Sequence, residues 1–156
     1  MKRWTAHPSP LGQLLLQASE LGLCGLYFSG HKYFPGVEGE HSPDDPLLLR
    51  ACAQLDEYFA GQRKRFDLPL HLKGTPFQQS VWKALEQFEW GQRGSYAQLA
   101  AWLGRPQAAR AVGSAIGRNP VCIILPCHRV LTAKGEVSGY AGGPERKRFL
   151  LALEAG

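Results

Sequence analysis

"SYAQLAAWLGRPQAARAVGSAIGRN" (residues 95–119) contains two short helical patterns joined across Leu103-Gly104-Arg105-Pro106. Ser95 suits the N-cap of the first and Gly104 its stop. Two short helices across so tight a turn fit a helix-turn-helix. The second helix has unlike faces. Ala108, Ala111, Val112 and Ala115 form a small apolar face, while Gln107, Arg110, Ser114 and Gly117 lie opposite, with Gly113 beside them. Small side chains let a helix backbone approach a nucleic-acid backbone, and a lone Arg can then project into a groove or base stack. The same pattern also fits an ordinary packed helix with one exposed Arg, so the pair alone leaves both readings open.

Charge distribution bears on that choice. The 156 residues carry a net charge of +5. Residues 1–72 hold seven Lys/Arg against eight Asp/Glu, net −1; residues 73–156 hold eleven against five, net +6. A basic half beside a neutral one points to a polyanion, nucleic acid first. The boundary falls in "QRKRFDLPLHLKG" (62–74), a linker-like stretch with room for a strand. We therefore expect two domains, 1–72 and 73–156. No apolar run is long enough to span a bilayer. The start, "MKRWTAHPSPLG", is interrupted by His and Pro and makes a poor signal peptide. These features predict a cytoplasmic protein with no membrane partner.

In the first half, "GQLLLQASELGLCGLYFSG" (12–30) reads as a β-hairpin, with Cys24, Leu26 and Phe28 sharing one face. "DPLLLRACAQLDEYFAG" (45–61) reads as a helix capped by Asp45, with Pro46 in its first turn and Leu48, Cys52, Leu55 and Phe59 on its inner face. The second half opens on "TPFQQSVWKALEQF" (75–88), where Thr75 and Gln78 make a capping box and Phe77, Val81, Leu85 and Phe88 an apolar stripe.

"VCIILPCHRV" (121–130) carries the chemistry. The aliphatic run reads as a buried strand. Asn119-Pro120 before it favours an extended or turning backbone, and Pro126 stiffens the chain just before Cys127. A thiol reacts as its thiolate and needs a base or cation nearby, which His128 and Arg129 supply. Cys127 is thus a candidate nucleophile, and Cys122 a core thiol. A Cys–His pair alone also fits a cysteine hydrolase.

The motifs "FQQSVWKAL", "SYAQLA", "AARAVGSAIGRNP", "ILPCHRV", "GYAGG" and "KRFLLALE" occur in one order over residues 77–154. In that order and spacing the chain resembles the O6-alkylguanine–DNA alkyltransferases. A weaker likeness runs through "SPLGQLLL" and "LDEYFAGQRKRFDLPL" in the first half. The resemblance implies an α/β fold: a small ribonuclease-H-like sheet with helix, then a winged-helix-like, mostly helical part. It implies direct repair of double-stranded DNA by a monomer. One alkyl group passes irreversibly from O6-alkylguanine to Cys127, with O4-alkylthymine left open as a further substrate. Binding is through the minor groove, with base flipping, and no cofactor is implied.

Residue by residue, the resemblance makes Cys127 the acceptor and His128, acting through a water, the base for its proton. Glu154 orients and charges against His128, and Asn119 braces the turn. A carboxylate beside imidazole favours the imidazolium and hence the thiolate; the apolar Phe149, Leu150 and Leu153 are expected to anchor the helix that brings Glu154 there. Tyr96 sits beside the flipped nucleotide and donates toward the leaving guanine. Val130, Tyr140, Gly142 and Arg129 are expected around the base. Arg110 fills the gap in the stack, with Gln107, Ser114 and Ser95 as further DNA contacts. Two positions depart from the family pattern: Ala141 stands where many members carry Ser, and Cys122 where they often carry Pro. Cys24, Cys52, His31 and His71 lack a zinc-ligand pattern, so no metal is expected. The alternatives are a non-catalytic lesion binder and the hydrolase.

Overall fold

The computed structural model describes residues 2–132, 135 and 140–156. Two compact units divide at Lys73/Gly74. Among the described residues no helix is long and apolar enough to cross a membrane.

The first unit is a four-stranded sheet, ordered β3-β2-β1-β4, with one helix. Its strands are β1 (Arg3–Ser9), β2 (Gly12–Ser19), β3 (Gly22–Phe28) and β4 (Glu40–His41). The first three run antiparallel, and β4 pairs parallel with Arg3 and Trp4 alone. Alternation along β2 buries Leu14, Leu16 and Ala18. The expected hairpin is β2–β3, but Cys24 is not on its core face. Gln17 pairs with Gly25 and Ala18 with Leu23, so Cys24 is the extra residue of a bulge. Leu23 and Leu26 are buried instead, and Cys24 is half-buried.

α1 (Pro46–Phe59) packs across β1, β2 and β3. Asp45 caps it by accepting from the Leu48 N–H, and Arg3 pairs with the same carboxylate. Tyr58, not Phe59, completes the inner face behind Leu48, Cys52 and Leu55. The stretch after α1 is pinned to the helix at Gln54, whose amide donates to the Asp67 carbonyl and accepts from its N–H.

The second unit is mostly helical: α2 (Pro76–Leu85), α3 (Tyr96–Trp102), α4 (Ala109–Gly117) and α5 (Pro144–Ala155), with short parallel strands β5 (Gly94–Ser95) and β6 (Val130–Leu131). Thr75 and Gln78 form the capping box of α2. Val81, Trp82, Ala84 and Leu85 turn inward, while Phe77 is only half-buried and stacks under Arg105. Ser95 caps α3 by accepting from the Gln98 N–H. Gly104, at φ +72°, takes the left-handed turn into α4. Trp82 Nε1 donates to the Ala115 carbonyl at 2.8 Å, tying α2 to α4. The inner stripe of α4 is Val112, Ala115 and Ile116. Ala111, expected inside, lies about a quarter-turn from the centre of that stripe and is exposed.

Candidate active site

The site is built on the segment between α4 and β6, and its first feature is a turn rather than the expected strand. Ile124 N–H bonds back to Cys122 and Leu125 N–H to Val121. Ile123 sits at φ +72°, a strained position for a β-branched residue. Asn119 holds this shape. Its Oδ1 accepts from Val121 N–H at 3.0 Å, and its Nδ2 donates to the Leu125 carbonyl at 2.8 Å. A 3-10 turn, Cys127–Arg129, follows Pro126 and leads into β6.

That turn points three side chains inward. Cys127, His128 and Arg129 are all buried. Burial pushes the Cys127 thiol up to about 11; a hydrogen bond from the Asn119 side chain, the Lys147 ammonium and local backbone N–H groups pull the other way. Cys122, fully buried on the preceding turn, is raised well above the ordinary thiol range by burial first and by its neighbour Cys127 second. It is the core thiol expected.

α5 closes the site from the other side. Its inner face is Lys147, Leu150, Leu151 and Glu154. Phe149, expected as an anchor, is exposed, and Leu153 only half-buried. Glu154 meets His128 Nε2 at 2.6 Å through Oε2. Arg129 spans the same carboxylate, Nε to Oε1 at 2.7 Å and Nη2 to Oε2 at 3.0 Å, and its Nη1 donates to the Phe88 carbonyl at 2.5 Å. This corrects the placement of Arg129 around a bound base: its guanidinium is directed to Glu154 and Phe88.

The same geometry corrects the charge assignment at His128. The carboxylate does not hold the imidazole positive. Burial lowers His128 below its ordinary value; Glu154 opposes that shift, and Arg129 and Lys147 add to it. A neutral ring gives its Nε2 hydrogen to Glu154 and keeps a lone pair on Nδ1. Among the described residues Nδ1 has no hydrogen-bond partner. A buried, unmet acceptor next in sequence to a thiol is suited to take a proton.

Tyr96, at the start of α3, is half-buried, and its hydroxyl is raised by burial and by Cys127, so it stays protonated at neutral pH. Its ring lies over Gly113 of α4, where a Cβ would stand 3.7 Å away. Val130 N–H bonds to the Cys127 carbonyl. Tyr140 and Gly142 are buried, and Gly142 offers its carbonyl to Arg146. Gly139 of the "GYAGG" motif lies outside the described residues. Gln107, Arg110 and Ser114 are exposed on the outer side of the helix pair. The hydroxyl oxygen of Ser95 is engaged as the α3 cap.

Lys147 went unassigned in the sequence although "KRFLLALE" contains it. Its Nζ donates to the Val130 carbonyl at 2.5 Å, and the residue is 1% exposed. The signal was its spacing: Lys147, Leu150, Leu151 and Glu154 at i, i+3, i+4 and i+7 share one helical face.

Two family models match. Residues 76–156 match "6-O-methylguanine DNA methyltransferase, DNA binding domain", and residues 2–72 its "ribonuclease-like domain". The constitutive methylated-DNA–protein-cysteine methyltransferase of Bacillus subtilis is 44% identical over 158 residues, covering 99% of this chain and 96% of that protein. The Mycobacterium tuberculosis protein of that name is 47% identical over 146 residues, 94% of this chain and 88% of its own length. The crystal structure of Mycobacterium tuberculosis OGT in complex with DNA superposes with a TM-score of 0.89 at 44% identity, covering 98% of this chain and 92% of that one.

Proposed function

Because the chain belongs to the 6-O-methylguanine DNA methyltransferase family, we propose that it repairs duplex DNA by direct reversal, as a monomer, moving one alkyl group from O6-alkylguanine to Cys127. The observation that carries this reading is the buried Cys127 beside a neutral His128 whose Nε2 is fixed on Glu154 and whose Nδ1 is open.

The thiol proton passes toward His128 Nδ1 as the sulfur attacks the alkyl carbon. The S–C bond forms, the C–O6 bond breaks, and its electron pair goes to the guanine. Tyr96, half-buried and protonated, supplies a hydrogen bond where that charge develops. Glu154 and Arg129 position His128, and Asn119 holds the turn and hydrogen-bonds toward the sulfur. A base inside a duplex is out of reach and must be extruded. To Arg110, exposed on α4, we assign filling the gap, and to the exposed Gln107 and Ser114 contact with the DNA backbone. The thioether product is not readily hydrolysed, so each molecule acts once.

Intact mass after incubation with an oligonucleotide containing O6-methylguanine tests the proposal. One added methyl per protein, mapped to Cys127, is the expected result, and Cys127→Ser should gain none. An unchanged mass with retained lesion binding would mean a non-catalytic sensor. Sustained turnover would mean a hydrolase.

A further inference from the structure

Two charged side chains reach the reactive turn from one face of α5. Glu154 serves His128 and Arg129 at one end. Lys147, two helical turns earlier, is fastened to the Val130 carbonyl, one residue beyond the Cys127–Arg129 turn. A buried ammonium is costly, and an aliphatic residue at that position would pack with Leu150 and Leu151 without the cost. Charges kept at such expense concentrate at functional sites.

His128 and Arg129 on the turn, Cys122 before it, Tyr96 on α3, and Arg146 and Glu154 on α5 surround the pair of Cys127 and Lys147. Arg129 is bound bidentately to Glu154. Lys147 is the cation among them that draws the Cys127 thiol downward, and the negative charge of Cys127 in turn favours the ammonium of Lys147. The same ammonium disfavours a charged His128.

We propose that Lys147 is the positioning residue that balances the reactive thiolate: its ammonium, held on the Val130 carbonyl, is the counter-charge of the Cys127 sulfur, while His128 stays neutral and only conducts the proton away. This rests on Cys127 being the alkyl acceptor. No new covalent step is involved; the thiol loses its proton, and the charge left on sulfur is met by a cation already in place.

The test reads thiol ionisation without DNA. Iodoacetamide, a small neutral electrophile, is reacted with the full chain from about pH 6 to 11, and adduct formation at Cys127 is followed by peptide mass. In the parent, burial holds Lys147 down to about 8. Its charge is lost above that pH while the thiolate is still growing in, so the logarithm of the rate should flatten there. Lys147→Gln and Lys147→Met should react roughly 10-fold or more slowly at neutral pH, the size of one opposite charge close by. Their rates should climb tenfold per pH unit with no break near 8. Lys147→Arg should restore much of the neutral-pH rate and remove the break, because its charge persists. Profiles of Gln and Met variants that overlay the parent would overturn the proposal.

Should those variants fail to fold, the parent decides it. The Lys147 Cε resonance is titrated alongside the parent's iodoacetamide profile. Its midpoint should coincide with the pH at which the Cys127 rate flattens; a midpoint that does not coincide, or a rate that climbs tenfold per pH unit straight through it, overturns the proposal. Alkyl transfer from DNA is scored separately by intact mass. A chain that shows the Lys147-dependent profile yet takes no methyl from DNA refutes the repair reading and supports this one.

Discussion

Replacing Glu154 by Gln changes one atom and should reach both stability and rate. The carboxylate accepts three hydrogen bonds: His128 at 2.6 Å and Arg129 at 2.7 and 3.0 Å. A Gln amide keeps one acceptor oxygen and turns a second donor toward Arg129. Two of the three contacts are lost and a buried guanidinium is left without its counter-charge. Hydrogen bonds to charged groups are worth about 1.5–3 kcal/mol each, and breaking a buried ion pair costs about 3–5 kcal/mol. The two routes agree on about 3–5 kcal/mol. For a chain of this size that lowers Tm by about 6–20 °C, which differential scanning calorimetry reads directly. Rate is then measured well below the variant's Tm. Without a fixed acceptor for its Nε2 hydrogen, His128 loses its tautomer, and alkyl transfer should slow by ~10²-fold or more. The replacement of both residues, Arg129→Met with Glu154→Leu, should recover stability but not rate. A Glu154→Gln protein whose Tm lies within about 2 °C of the parent and whose transfer rate is unchanged would refute the network.

Arg110→Ala should slow repair of duplex DNA far more than dealkylation of free O6-benzylguanine; equal slowing of both would remove the finger role, and DNA affinity should fall as salt rises. Asn119→Ala leaves the Leu125 carbonyl and the Val121 N–H unmet in a buried turn, so chemical denaturation should show about 2–5 kcal/mol lost, and the Cys127 thiol should titrate higher. Lys147→Met should stabilise the fold while slowing transfer. The folded lysine sits near 8 against an ordinary 10.5, so its penalty is full below about pH 8 and is gone above 10.5. The variant should therefore be more stable at neutral pH by up to about 3 kcal/mol, and the two proteins should converge as pH rises through that window; a constant difference would contradict the assignment.

Much of the fold was legible because its helices announce their ends. Asp45, Thr75 with Gln78, and Ser95 all cap the helices they precede. What escaped was set by partners far along the chain. β1 contains Pro8, which argues against a strand, yet β4 covers only its first residues, so Pro8 lies on an open edge where no donor is required. The burial of Cys24 followed from simple alternation, and one bulge shifted it. "VCIIL" has the composition of a strand, but Asn119 supplies two side-chain hydrogen bonds that a ladder would otherwise provide, and the run curls into a turn.

At the site, local sequence singled out Cys127 and His128 and missed the charged groups packed around them. Cys127 and His128 are adjacent, so the candidate pair needs no fold to be proposed. Arg129 is adjacent too, and proximity alone suggested a role toward the substrate. Only the folded chain shows it turning to Glu154, twenty-five residues on, with the Phe88 carbonyl beyond. Burial, with Arg129 and Lys147 adding to it, outweighs the pull of Glu154 and reverses the electrostatic inference at His128. On the proposed reading His128 is a neutral base, and the positive charge that balances a thiolate comes from another side chain. We assign that charge to Lys147, which shares its helical face with Glu154.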